Sequence, residues 1–132
     1  MATIAFTGKK PPPMKPDCIF CRIIAGTAPA EIVYRDDQVI AFQNLHPIAP
    51  VHLLIVPISH IESVNTAETS HEPVMGHLIT VARRLAVENK IDQTGYRLVM
   101  NTGPDAGQSV FHLHLHLIGG RYLPFRFEKP GS

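Results

Sequence analysis

The chain has almost no net charge, only two cysteines and no long apolar run, and each shortage narrows what it can do. Twelve basic side chains against eleven acidic ones leave a formal net charge of +1. Nothing general therefore draws the protein to nucleic acid or to a membrane surface, and any phosphate it binds must be met by local donors. No apolar stretch reaches the roughly 20 residues that cross a bilayer. Met1 to Gly8 also lacks the basic start and extended apolar run of a secretory signal. The expectation is a cytoplasmic protein with neither nucleic acid nor membrane among its partners. No internal repeat is visible. At 132 residues and 45% hydrophobic content the chain suits one compact domain with a real core. Proline is dense only in Lys9 to Pro16, which predicts a flexible tail over residues 1–16 ahead of a domain over 17–132.

What the chain does have is histidine in a particular order. In Phe111-His112-Leu113-His114-Leu115-His116-Leu117 imidazole alternates with aliphatic at the period of a β-strand, so the three rings share one face and the leucines the other. Alternation alone describes any half-buried strand. Three histidines in register are different, because imidazole serves as nucleophile, base or acid near neutral pH. The preceding loop, Asn101 to Ser109, contains two glycines that let backbone N–H groups approach an anion, with Gln108 and Ser109 adding neutral donors.

The remaining pattern predicts an α+β fold, a five-stranded antiparallel sheet with one long helix and a short N-terminal helix. Residues 18–25 read as the short helix, Glu31 to Arg35 and Val39 to Phe42 as a hairpin across Asp36-Asp37, and Val51 to Val56 as a third strand bracketed by Pro50 and Pro57. Thr69 and Glu72 have capping-box spacing, and Val74, Leu78, Ile79, Ala82 and Leu85 follow at helical intervals, placing the long helix at 70–90. Tyr96 to Met100 and Val110 to Ile118 complete the strands. Cys18 and Cys21, three apart on a helical turn, suggest either redox chemistry or half a zinc site. The βαβ context of a redox motif is missing.

Gly107 to His116, continuing through Leu117-Ile118-Gly119-Gly120-Arg121, closely resembles the signature of the histidine triad (HIT) superfamily, and its ending resembles the Hint branch. Asp17 to Ile24, Ala41 to Pro47, and Val51 to Pro57 with His60-Ile61 extend the resemblance over about residues 17 to 123. It implies a nucleotide-binding hydrolase that cleaves nucleoside phosphoramidates, or related monophosphate conjugates, at the α-phosphorus through a nucleotidyl-histidine intermediate. His114 would be the nucleophile, with His112, His116, His52 and Ser109 as further catalytic groups. Ile19, Phe20, Ile23, Phe42, Asn44, Leu45, Asn101, Gly107, Gln108 and Ser109 would bind an adenosine monophosphate-like purine nucleotide. Asn44 departs from the aspartate usual in the Hint branch. His46, His71 and His77 match nothing functional and are expected to be solvated or capping.

Metal-bearing bacterial HIT proteins and the related galactose-1-phosphate uridylyltransferases imply a structural zinc at Cys18, Cys21, His60 and His112. The resemblance also implies a homodimer formed through the long helix and the strand after it, with Val81, Val87 and Ile91 facing the partner. His116 stands where the uridylyltransferases have glutamine, which resembles hydrolases. A dinucleoside polyphosphate hydrolase is the nearest alternative, and a regulatory nucleotide-binding protein with little turnover is the alternative outside enzymes.

Overall fold

The computed structural model describes residues 15–124, so the predicted tail falls outside the described residues apart from Lys15 and Pro16. Five strands, β1 (Ile32–Arg35), β2 (Val39–Gln43), β3 (Val51–Pro57), β4 (Tyr96–Val99) and β5 (Leu115–Gly119), form one sheet in the order β1-β2-β3-β5-β4. Every neighbouring pair is antiparallel. Helix α1 (Ile19–Ala25) covers one face and α2 (Glu72–Glu88) the other. The expected α+β architecture is the one observed. No described helix is long and apolar enough to cross a membrane.

Covering both faces explains why β2 and β3 are apolar almost throughout. Val39, Ala41, Leu53 and Ile55 pack with α2, whereas Ile40, Phe42, Leu54 and Val56 pack with α1 residues Phe20, Ile23 and Ile24, as the strand period of two requires. Leu113, Leu115 and Leu117 join the α2 side. Their alternating histidines are thereby turned toward α1.

Two element boundaries differ from the sequence pattern. The triad strand begins at Leu115 and not at Val110, so His112 and His114 precede the ladder. The register pairs Ile55 with Leu115; carried outward by two residues it would set Leu113 against Pro57, which has no N–H to donate. Leu113 N–H instead donates to the Ile61 carbonyl at 2.7 Å. The long helix begins at Glu72 after a 3-10 turn at Thr69–His71. The predicted Thr69/Glu72 box is replaced by His71, whose Nδ1 accepts from Glu68 N–H at 2.9 Å.

The core stripe of α2 is also rotated from the expected one. Leu78, Val81, Ala82, Leu85 and Ala86 are buried, while Ile79 is 48% exposed. Val81 and Ile91, expected to face a partner, therefore belong to the chain's own core, and only Val87 of that set is exposed. Lys90 adopts a left-handed conformation at φ 61°. With Ile91 N–H bonded back to Ala86 O at 3.0 Å, this reversal returns Ile91 to the sheet.

One carboxylate ties the first hairpin to α2. Asp36 Oδ1 accepts from the N–H groups of Gln38 and Val39, both at 2.8 Å, and Oδ2 accepts from Tyr34 Oη and His77 Nε2, both at 2.7 Å. Burial alone would raise this carboxyl's pKa; the bonds from His77, Tyr34 and the two backbone donors outweigh it and hold the group well below the usual carboxylate range. A folded pKa below the unfolded one adds stability above the unfolded value and loses it as pH falls toward the folded value. We predict that Asp36→Ala lowers the unfolding free energy by ~1–3 kcal/mol at neutral pH. The difference from wild type should shrink below about pH 4. Coincident urea midpoints at pH 7 would contradict this assignment.

Candidate active site and metal centre

Cys18 is the N-cap of α1, its Sγ accepting from Cys21 N–H at 3.3 Å, and the next helical turn brings Cys21 to the same side. His60 follows β3, and His112 ends the approach to the triad. These two reach the thiols from the other direction: Cys18 Sγ lies 3.4 Å from His112 Nδ1, and Cys21 Sγ lies 3.3 Å from His60 Nδ1 and 3.6 Å from His112 Nδ1. All four candidate ligand atoms fall within 4.8 Å of one another. Tetrahedral zinc, with sulfur at ~2.3 Å and nitrogen at ~2.0 Å, requires sulfur-to-nitrogen edges of roughly 3.5 Å. The donor set and its spacing fit that ion.

The protonation of His112 fits as well. Its Nε2–H donates to the Pro57 carbonyl at 2.8 Å, leaving a lone pair on the Nδ1 that faces the thiols. The ring is wholly buried. Burial pushes its pKa down to about 4, with the Pro57 bond opposing and neighbouring His60 and His114 assisting. His60 is lowered mainly by burial, and burial raises the Cys21 thiol. Both nitrogens of His112 are thus committed to structure. What His112 gives the active site is its backbone carbonyl.

That carbonyl accepts from His114 Nδ1 at 2.6 Å. With its proton on Nδ1, the neutral His114 ring keeps the lone pair on Nε2. Burial lowers the His114 pKa while the His112 bond partly opposes, so the neutral form is favoured. Phe20 holds the ring edge-on, at 5.1 Å between centroids and 88° between planes.

A second backbone group sets the tautomers of the other two imidazoles. Ile48 N–H donates to His52 Nδ1 at 3.2 Å, which puts the His52 proton on Nε2, 2.9 Å from His116 Nδ1. His116 accepts there and must carry its own proton on Nε2. Burial, reinforced by His114 and His52, pushes the His116 pKa down to about 4, and burial lowers His52. Ring centroids of His114 and His116 are 5.1 Å apart. The site therefore places an imidazole lone pair beside an imidazole N–H, a pairing suited to nucleophilic attack next to a hydrogen-bond donor.

Both rings line a cavity of about 250 Å³. Ile19, Phe20, Ile23, Phe42, Asn44, Leu45 and Ser109 line it too, together with Pro29, Ala30 and Leu54, which the sequence pattern did not single out. Asn44 Oδ1 accepts from His46 N–H at 2.9 Å, which turns the Nδ2 amide donor toward His52 Nε2 at 3.2 Å, a nitrogen that carries a proton in this tautomer and so cannot accept from it.

Asn101, Gly107 and Gln108 do not line this cavity, and His52 meets it only through His116. Gln108 differs from its expected use as a phosphate donor. Its Oε1 accepts from Gly103 N–H at 2.9 Å, and its Nε2 donates to Glu62 O at 2.8 Å and Val110 O at 3.1 Å. The carboxamide braces the loop, whose 3-10 turn at Pro104–Ala106 is flanked by Gly103 and Gly107 at φ 85° and 81°. Pro57 O and Ile48 N–H are the orienting groups that sequence reasoning missed. Main-chain partners carry no residue-type signal.

The HIT domain family matches residues 25–123. The chain is 46% identical over 110 residues to a purine nucleoside phosphoramidase of Escherichia coli strain K12, covering 83% of this chain and 92% of that protein. A histidine triad protein from Clostridium difficile superposes with a TM-score of 0.84 at 41% identity, over 87% of this chain and all of the other. A Zn-bound histidine triad family protein from Mycobacterium smegmatis gives a TM-score of 0.70 at 29% identity, over 80% and 76% of the two chains. The chain belongs to the HIT domain family.

Proposed function

We propose that this protein hydrolyses purine nucleoside phosphoramidates, or related nucleoside monophosphate conjugates, at the α-phosphorus. The observation that carries the reading is the 2.6 Å bond from His114 Nδ1 to the His112 carbonyl, which leaves a nucleophilic Nε2 on a ring lining the cavity. In the first step that lone pair attacks phosphorus and the bond to the leaving amine breaks. The amine nitrogen takes its proton from solvent and leaves as the neutral amine, receiving hydrogen bonds from His116 Nε2–H and Ser109, and the apolar walls hold the base. In the second step water attacks the nucleotidyl-histidine and gives a proton to solvent, the bond from phosphorus to His114 Nε2 breaks, and the monophosphate departs from a neutral His114. The phosphoramidase of E. coli, 46% identical, supports the substrate class. Steady-state turnover of adenosine phosphoramidate tests it, since a dinucleoside polyphosphate preference or mere binding would count against this reading.

In the same reading Cys18, Cys21, His60 and His112 hold a structural zinc that clamps α1 to the triad segment. A cytoplasmic location fits, because thiols there stay reduced. We further propose a homodimer: Ile79 and Val87 leave apolar area exposed on α2 that a second copy would cover. Sedimentation at micromolar concentration is expected to give twice the 14.6 kDa chain mass. A monomer alone would refute it.

A further inference from the structure

Beside the nucleotide cavity lies a larger one, about 370 Å³, which the steps above leave unused. Ile19, Ser109 and Val110 line both, so the two share a wall that includes the proposed donor to the leaving group, and Cys18 and His60 of the candidate metal centre line the larger one. Phe111, 50% exposed, forms an apolar wall. The rim carries Lys15, Asp17 and Glu62, with Lys15 Nζ 3.5 Å from Glu62 Oε2. Among the described residues the rim thus sets two carboxylates against one ammonium. Glu62 is fastened to the loop by its own carbonyl, which accepts from Gln108 Nε2 at 2.8 Å.

We infer that this second cavity receives the departing amine and favours cationic amines with an apolar body over anionic ones. The inference rests on the phosphoramidase reading and adds the class of leaving group to it. A group attached to phosphorus beside Ser109 has two directions in which to extend, and the nucleoside occupies one. The other leads to Phe111 and Ile19, which cover a methylene or aromatic stem, and then to the acidic rim. An ammonium at the end of that stem is attracted by Asp17 and Glu62, while a carboxylate or a second nucleotide phosphate is repelled. Exposed charges act through solvent, so the discrimination is modest and weakens with salt.

The test compares kcat/KM for three adenosine phosphoramidates whose amines have equal chain length and end in a methyl, an ammonium or a carboxylate. Wild type is expected to favour the ammonium compound over the carboxylate compound by roughly five- to tenfold at low salt. The ratio should fall toward one in Asp17→Asn/Glu62→Gln, rise in Lys15→Gln, and contract at high salt. Because the two sets of variants move it in opposite directions, damage to folding cannot imitate the result. Equal rates for the charged compounds in wild type, or a ratio that ignores these substitutions, would overturn the inference and leave the phosphoramidase reading standing. Absence of turnover with all three and with unsubstituted adenosine phosphoramidate would instead bring down the reading on which it rests.

Discussion

His114→Ala is expected to bind adenosine monophosphate within about tenfold of wild type, a difference of ~1.4 kcal/mol or less, yet to lose at least ~10³-fold in turnover of adenosine phosphoramidate. Intact-protein mass spectrometry during turnover should reveal a nucleotidyl adduct on wild type and none on the variant. On the proposed reading the two effects separate because the apolar walls, not His114, would supply most of the contact with the nucleoside. Phe20, Ile23, Phe42 and Leu54 keep their places in the α1-side core whether or not the imidazole is present. Removing the ring takes away an imidazole lone pair that the main chain has fixed on a ring lining this cavity. Without it water would have to attack phosphorus directly, in one difficult step. The His114 ring also packs against Phe20, so a modest loss of stability is expected and should be measured alongside. An adduct mapped to another histidine, or substantial residual turnover, would show that the nucleophile is misassigned.

The alternation of histidine and leucine from residue 112 to 117 was enough to place the imidazoles opposite α2, because side-chain direction in extended chain depends only on spacing. The strand itself was less legible. Its start depends on whether the neighbouring strand can pair, and Pro57 cannot. Cys18 and Cys21 announced themselves by spacing, but His60 and His112 joined them only through resemblance to known proteins. Their distance in sequence, 39 residues from Cys21 to His60 and 94 from Cys18 to His112, leaves no periodic trace. On α2 both Ile79 and Val81 suit an apolar stripe that includes Leu78, Ala82 and Leu85. The chain buries Val81 because the sheet fixes the helix rotation. Residue type marks Gln108 as a donor, but its partners, the Gly103 N–H and the carbonyls of Glu62 and Val110, exist only once the loop has closed.

Cys18→Ser is expected to abolish metal binding while keeping the start of α1 intact, and its consequences should reach the nucleophile. Serine is a good N-cap, so its hydroxyl can replace the Cys18 sulfur that now accepts from Cys21 N–H. Whatever is lost then belongs to the metal centre and not to helix capping. Wild type purified without chelator should contain close to one zinc per chain, and the variant sharply less. Its thermal midpoint should fall by ~10 °C or more, corresponding to about 2 kcal/mol in a domain of this size. His112 links this centre to the active site: its ring Nδ1 faces the thiols, while its carbonyl lies 2.6 Å from His114 Nδ1. Loosening the ring lets the carbonyl shift, and a displacement of even 1 Å at the nucleophile can cost ~10²-fold in rate. Turnover should therefore drop by roughly 10- to 100-fold, while affinity for adenosine monophosphate, which does not depend on the alignment of the nucleophile, changes less. Wild-type protein that is fully folded and active without metal would remove the structural role. A variant that loses zinc but keeps full turnover would show instead that the Pro57 bond alone holds His112 in place.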